Sequence, residues 1–391
     1  MISKYMKENI KQGSFIRKMF EEGIRMKNQF GADQVYDFSL GNPDLEPPKE
    51  VLDALRILTK DAPRGLHGYM SNPGYPEVRA LVAQKQAEMS GLPVTAKSIC
   101  MTVGAAGAMN VVLKAILDID DEVILIAPYF VDYINYIRNQ FAKPVIVSSD
   151  KATLLPDFDA ISRAITPRTK AIIINSPNNP SGVIYSPEVL QQLDQVLKQS
   201  GQTIYVISDE PYADLTYDGQ STPSTMKYIE QSIVCTSWSK TLSLPGERIG
   251  YLCISPRCED FDDLVNAAGQ CNRMLGFVNA PSLFQRVIEL AIDAKVDVSR
   301  YENRRNRLFE IMSAAGLTVN KPQGGLYFFV RTPGDDEMEF IDACVRHHIL
   351  IVPGRGFGFP GFFRLCFAVP DDMIERSVPA WMAVGREFGL N

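Results

Sequence analysis

The amino-acid sequence predicts an α/β protein: a mostly parallel sheet wrapped by helices, followed by a smaller α+β region. Three observations carry that expectation. Short, continuously apolar runs recur at Val123–Ala127, Val145–Val147, Ala171–Ile174, Ile204–Ile207, Ile233–Cys235 and Tyr251–Ile254. Hydrophobicity that is continuous rather than alternating means burial on both faces, as in a parallel sheet between helical layers. Helical stretches such as Pro187–Lys198 separate several of these runs, the spacing of strand–helix–strand units. Beyond about residue 282 the pattern changes to a long helical region, Leu283 to Ala315. Short strands follow at Leu326–Val330, Leu350–Val352 and Phe363–Phe367.

Size and composition bound the function. A chain of 391 residues is too long for one ordinary core, so two domains are expected. The net charge of −6, with no compensating basic stripe, argues against a nucleic-acid surface. No apolar run approaches the roughly 20 residues needed to span a bilayer, and the first eight residues lack the apolar core of a signal peptide. Seven dispersed cysteines without a C-x-x-C pair read as reduced, mostly buried thiols of a cytoplasmic protein. His67, His347 and His348 are the only histidines, too few for a histidine-rich metal site.

From the start of the chain, Phe15, Ile16, Met19, Phe20 and Ile24 stand near helical spacing, as in a packing helix or arm. In Phe38-Ser39-Leu40-Gly41-Asn42-Pro43-Asp44, Gly41 serves either close backbone approach to a ligand or a plain turn. After His67-Gly68-Tyr69, Pro76 suits the first turn of a helix carrying Val78, Leu81 and Val82 and ending near Gly91. Gly104-Ala105-Ala106-Gly107 opens an amphipathic helix. Small residues there leave N–H groups exposed for an anion, or simply allow tight packing. It is not a P-loop, because no Lys-Ser/Thr pair follows.

Polar groups collect at the carboxyl ends of the apolar runs, where sheets of this class bind ligands. They are Pro128-Tyr129-Phe130, Asn175 to Gly182, Ser208-Asp209-Glu210-Pro211-Tyr212 and Ser237-Trp238-Ser239-Lys240. A lysine ending a buried strand is desolvated toward its neutral amine, the form that attacks carbonyls. Ser237, Ser239 and the arginine of Gly246-Glu247-Arg248-Ile249-Gly250 suit a phosphate, whose oxygens match hydroxyls and a guanidinium fork. A carbonyl-seeking lysine beside a phosphate site points to pyridoxal 5′-phosphate. The bland reading of Ser-x-Ser-Lys alone is a surface turn. Arg364, inside an aromatic strand, needs either a salt-bridge partner or an anionic ligand.

These pieces stand in one order: Gly41-Asn42-Pro43, Tyr69, Gly104–Gly107, Phe130, Asn179-Pro180-Ser181-Gly182, Asp209-Glu210-Pro211-Tyr212, Ser237–Lys240, Gly246–Gly250 and Arg364. With them the chain resembles the class I/II aminotransferases, pyridoxal-phosphate enzymes of fold type I, over essentially its whole length. The resemblance implies a large domain over 46–284 with a mostly parallel seven-stranded sheet. It also implies a small domain from 1–45 and 285–391. Lys240 resembles the lysine that holds the cofactor as a Schiff base and then moves the proton. Asp209 resembles the carboxylate paired with the pyridine nitrogen, and Tyr212 and Asn179 the partners of the ring's phenolic oxygen. Phe130 resembles the stacking aromatic, with Tyr129 one residue away. Gly104, Ala105, Ala106, Ser237, Ser239 and Arg248 would take the phosphate.

Tyr69 resembles a tyrosine that reaches the neighbouring subunit's phosphate, which implies a homodimer with shared active sites. Arg364, with Gly41 and Asn179 alongside, resembles the arginine that takes the substrate's α-carboxylate. The expected reaction moves an amino group from an L-amino acid to a 2-oxo acid in a ping-pong cycle. Acidic substrates are favoured over aromatic ones, with Arg17, Arg273 and Arg355 as candidates for a distal carboxylate. The rivals are a C–S β/γ-lyase on the same fold and a cofactor-sensing regulator. The regulator is disfavoured because no helix-turn-helix module precedes the first motif.

Overall fold

The computed structural model describes residues 2–12, 15–334 and 336–390. Met1 and the side chain of Ile16 lie outside the described residues. The central sheet has seven strands: β1 (Ile99–Thr102), β2 (Glu122–Ala127), β3 (Lys143–Ser148), β4 (Thr169–Asn175), β5 (Tyr205–Asp209), β6 (Ser232–Ser237) and β7 (Gly250–Ile254). Their spatial order is β1-β7-β6-β5-β4-β2-β3. Neighbours pair in parallel except β7, which runs against both β6 and β1. The apolar runs of the sequence therefore become six of the seven strands. The seventh, which the resemblance implies, is β1, a strand the apolar runs did not mark. Its four residues are all buried, but so short a run is indistinguishable in sequence from the start of the helix that follows it.

Apolar side chains fill both faces of this sheet. Val123, Leu125, Ile173, Ile207 and Cys235 pack on one side with the helix Gly104–Ile116, while Ile124, Ile172, Ile174 and Val206 pack on the other with Leu190, Leu193 and Leu197. The helix Pro76–Ser90 has its proline in the first turn and stops at Gly91, which takes the left-handed conformation that glycine adopts without a Cβ penalty. Pro187–Gln199 starts where Ser186 accepts a hydrogen bond from the Val189 N–H, a side-chain cap.

A second core gathers Phe328, Phe340, Phe363, Leu365, Phe367, Trp381 and Val384. Its sheet is antiparallel, with Phe362–Cys366 between Val352–Pro353 and Tyr327–Arg331. The expected strand Leu350–Val352 is in fact two. Ile349–Leu350 pairs in parallel with Tyr36–Asp37, bringing the N-terminal segment here, and Val352–Pro353 joins the antiparallel sheet. The expected helix from Leu283 to Ala315 is also two, Ser282–Ala291 and Val298–Ala314. Asp297 makes the second start, its carboxylate accepting from the Ser299 N–H. The segment Phe15–Phe30 is helical as expected; Phe15 and Met19 pack, partly buried, against the core on one side of the central sheet, and Met26 packs against Val35 and Leu350. Phe20 and Ile24 point the other way and are exposed.

Candidate active site

β6 and β7 form an antiparallel hairpin in which Ser237 pairs with Gly250. That register folds the connecting loop back on itself, so Lys240 and Arg248 open onto the same pocket. Gly250 must be glycine, because a Cβ there would lie 2.4 Å from the Thr236 carbonyl oxygen and 2.8 Å from the Gly104 backbone. Lys240 is half-buried and lines the pocket, with Nζ donating to the Gly41 carbonyl at 2.7 Å. Burial above all brings its ammonium down to about 8. The guanidinium charges of Arg364 and Arg248 add to that shift, and the Cys366 thiol opposes it.

Asp209 closes β5, level with Asn175 of β4 and Cys235 of β6. It is buried, and its Oδ2 accepts a hydrogen bond from the Tyr133 hydroxyl at 2.5 Å. Its Oδ1 has no partner among the described residues. Burial raises its carboxyl to about 7; the Tyr133 hydrogen bond works against this and the neighbouring Glu210 charge adds to it. Asn175 anchors both this strand end and the next loop. Its Nδ2 donates to the Asp209 carbonyl at 2.7 Å and its Oδ1 accepts from the Asn179 N–H at 2.6 Å.

The start of Gly104–Ile116 opens onto the pocket. Thirteen residues of helix point their free N–H groups and positive dipole end there. Gly104 has φ +76°, and a Cβ on it would meet Arg248 Nη2 at 2.9 Å, so glycine is what lets the guanidinium approach. Ala105, Ala106, Ser237, Ser239 and Arg248 line the cavity, and the Ser237 hydroxyl donates to Ser239 Oγ at 3.1 Å. Gly104 acts through this approach rather than as a wall residue.

Arg364 sits in the middle of Phe362–Cys366, buried, with its guanidinium between the rings of Tyr327 and Phe357 at 4.5 and 4.8 Å. Nη2 donates to the Ser39 carbonyl at 2.8 Å and Nη1 to Asn179 Oδ1 at 3.2 Å. Nε is unpartnered, and no carboxylate forms an ion pair with this arginine among the described residues. A structural salt bridge is therefore not what holds it. The buried charge is open to an anion on the pocket side. Gly41 is a close-approach glycine: a Cβ would fall 1.8 Å from the Tyr327 hydroxyl. Tyr212 completes this wall, its hydroxyl 3.3 Å from that of Tyr327.

The pocket thus brings together Lys240, Asp209, Tyr212, Ala105, Ala106, Phe130, Asn179, Ser237, Ser239, Arg248, Gly41 and Arg364. Phe130, not Tyr129, faces the cavity; Tyr129 is buried and would contact a Cβ on Gly358 at 2.6 Å. Tyr69 lies elsewhere on this chain, 93% exposed. The three arginines proposed for a distal carboxylate do not line the pocket either. Arg17 pairs with Glu21, Arg355 pairs with Glu337, and Arg273 is exposed. Tyr133, Tyr136, Asn175 and Tyr327 were missed. Asn175 had a usable signal, because it ends an apolar run beside residues already singled out. Tyr133 follows Phe130 by one helical turn.

Comparison with known proteins agrees with this geometry. Residues 33–380 match the family described as aminotransferase class I and II. A probable aspartate/prephenate aminotransferase of Thermus aquaticus is 33% identical over 346 residues, covering 86% of this chain and 88% of that protein. The crystal structure of an amino transferase from Eubacterium rectale superposes with a TM-score of 0.96 at 37% identity, covering all of both chains. Aspartate aminotransferase from Thermus thermophilus with maleate gives 0.87 at 27% identity, covering 98% of this chain and 99% of that one. A lysine, an aspartate and an arginine converging on one pocket of a seven-stranded sheet, together with a match over residues 33–380, place the chain in the aminotransferase class I and II family.

Proposed function

We propose that this pocket transfers the amino group of an L-amino acid to a 2-oxo acid with pyridoxal 5′-phosphate, and that Lys240, Asp209 and Tyr212 act on the reacting groups. The observation that carries the reading is the buried, unpartnered Oδ1 of Asp209 in the same pocket as an amine whose pKa burial lowers to about 8. A buried carboxylate oxygen without a donor costs free energy unless a ligand supplies one, and a protonated ring nitrogen is such a donor. The helix start, Ser237, Ser239 and Arg248 fit the phosphate, Phe130 the ring face, and Tyr212 and Asn179 the phenolic oxygen. When bound, the cofactor supplies an electron sink for the carbanion at the substrate's α-carbon.

The remaining roles follow from the chain's own groups. Lys240 Nζ, which lines the pocket, would be the group that holds the cofactor covalently and that carries the substrate's α-proton. Arg364 takes the α-carboxylate with its two outer nitrogens, next to Gly41 and Asn179. Arg364→Lys keeps the charge but loses the planar two-point contact, so it should weaken every amino acid alike. The expected cost is about 1.5–3 kcal/mol, or roughly 10–150-fold in kcat/KM. A loss confined to one substrate would remove Arg364 from this role.

For the side chain we propose acidic or aromatic amino acids, with aspartate or glutamate favoured. The support is the names of the relatives, aspartate/prephenate and aspartate aminotransferases, and the maleate bound in one structural neighbour. The aromatic alternative has its own support: a tetra mutant of that neighbour is complexed with tryptophan, and Phe130, Tyr136 and Tyr327 line this pocket. The aspartate half-reaction, followed by the cofactor's absorbance, is expected to run at least tenfold faster in kcat/KM than that of phenylalanine, about 1.4 kcal/mol. The reverse order would assign an aromatic substrate.

We further propose a cytoplasmic homodimer in which Tyr69 completes the partner's pocket. Its support is the resemblance together with a tyrosine ring lying 93% exposed outside its own site. The seven cysteines are all buried and free, as suits a reducing compartment. Among the described residues no helix is long and apolar enough to cross a membrane. Tyr69→Phe should weaken cofactor retention about tenfold. Full activity from a protein that is monomeric at nanomolar concentration would exclude the shared site.

A further inference from the structure

We propose that Tyr133 is the positioning residue for Asp209: its hydroxyl pins Oδ2, leaves Oδ1 as the oxygen offered to the pocket, and favours the ionised form of the carboxylate. The inference rests on the reading of the pocket above, in which Asp209 pairs with a protonated ring nitrogen. Its evidence lies in the chain itself.

Asp209 is buried at the end of β5 and has two chemically equivalent oxygens, so something must decide which one faces a ligand. The Tyr133 hydroxyl, itself buried, donates to Oδ2 at 2.5 Å, within the range of strong O–H···O⁻ hydrogen bonds. Oδ1 is left without a partner. Tyr133 opens the short helix Tyr133–Arg138, one turn beyond Phe130, and the two rings meet edge to face at 5.5 Å. One residue thereby ties the carboxylate to the aromatic that would cover the ligand's ring. A ligand docked under Phe130 would meet Oδ1 in a fixed orientation, with no rotation to freeze on binding.

The electrostatics around Asp209 explain why a donor is needed. The titratable groups that face it are Glu210 beside it, Cys235 on β6, Tyr212 after β5, and Tyr133 and Tyr136 on the short helix. Each is acidic or neutral. Glu210 is buried too, and its carboxylate is occupied by the Ser208 and Thr225 hydroxyls at 2.7 Å. Lys240 and Arg248 line the same pocket but make no hydrogen bond to this carboxylate among the described residues. Burial favours the neutral acid, while a hydrogen bond donated to the charged form favours ionisation. Tyr133 is the group that supplies one. Burial pushes its own hydroxyl well above the ordinary tyrosine range, so it stays a donor at any pH at which the protein works.

The test is a titration of the full chain, stripped of bound cofactor and labelled with ¹³C at aspartate side-chain carboxyls. The resonance missing from Asp209→Asn belongs to Asp209, and its shift is followed from about pH 4 to pH 9. Loss of a hydrogen bond to the charged form makes ionisation harder, so in Tyr133→Phe the midpoint should move up by about 1–2 pH units. A midpoint unchanged to within roughly 0.3 unit would overturn the proposal. The phenylalanine ring keeps the contact with Phe130. Should that variant not fold, 3-fluorotyrosine at position 133, a stronger donor, should move the midpoint down, and no movement counts against the proposal.

The loaded enzyme supplies a second readout. Tyr133→Phe should slow the half-reaction about tenfold in the wild-type background and leave Asp209→Asn no slower than before. Fully additive losses would mean that the tyrosine acts only on structure. The titration needs neither cofactor nor substrate. Its failure is therefore separable from a failure of the aminotransfer reading, which would show in the wild-type half-reactions.

Discussion

Replacing Lys240 by alanine is expected to lower turnover by about 10⁴-fold while the protein still binds its cofactor non-covalently. In the proposed role the amine would have two tasks, and both need it uncharged: holding a carbonyl carbon and accepting a proton from the substrate's α-carbon. With its pKa brought to about 8, about a tenth of the amine is neutral at pH 7. An ordinary lysine near 10.4 would offer less than about one part in 10³. Burial in the pocket thus raises the reactive fraction by more than two orders of magnitude before any positioning is counted. A positioned acid–base group contributes about 10²–10⁴-fold by itself, and alanine removes the covalent attachment as well. Borohydride reduction of the wild type followed by peptide mapping should place the pyridoxyl group on Lys240. Labelling at any other lysine, or a Lys240→Ala protein that retains a tenth of its turnover, would refute the assignment.

Asp209→Ala should leave the cofactor bound through the phosphate contacts but slow abstraction of the α-proton by roughly 10² to 5 × 10³-fold. The magnitude follows from removing one partner of a buried charge pair, about 3–5 kcal/mol. In the proposed role the carboxylate would hold a proton on the cofactor's ring nitrogen, so its loss would leave the ring a weaker electron sink. Asn at this position keeps the shape and loses the charge, so Asp209→Asn should fall nearly as far. Single-turnover rates with a saturating amino acid separate this from weaker binding. Near-normal rates in Asp209→Ala would mean that a neutral ring suffices, and the electron-sink role of Asp209 would be wrong.

Much of this site was legible in the sequence because its parts are local. A lysine three residues after a serine at a strand end, an Asp-Glu-Pro-Tyr after an apolar run, and small residues opening a helix each declare a chemistry through neighbours in the chain. Five of the six apolar runs read correctly for the same reason: burial on both faces forces continuous hydrophobicity, whereas Val145–Val147 lies in the edge strand β3, where Ile146 is exposed. Elements resting on distant partners did not read. β1 is too short to stand apart from the helix that follows it. The helix expected across Leu283–Ala315 breaks at 292–297 because Asp297 caps a new start, a small local signal inside a long helical pattern. The two roles of 349–353 are set by Tyr36–Asp37 on one side and Phe362–Cys366 on the other.

The sequence by itself determined the order of motifs, the two-sided burial of the sheet and the chemical types gathered at its carboxyl edge. Only the tertiary structure decided how those groups are held. Arg364 is gripped by the Ser39 carbonyl, 325 residues away, and by Asn179, 185 residues away. Lys240 is aimed by the Gly41 carbonyl across 199 residues, and Asp209 by Tyr133 across 76. It also decided that Arg17, Arg273 and Arg355 do not line the pocket. The reason is physical. Periodicity and turn chemistry report what a residue's neighbours in the chain require, whereas a side chain's charge state and aim are set by burial and hydrogen-bond partners that only the folded chain brings within 3 Å.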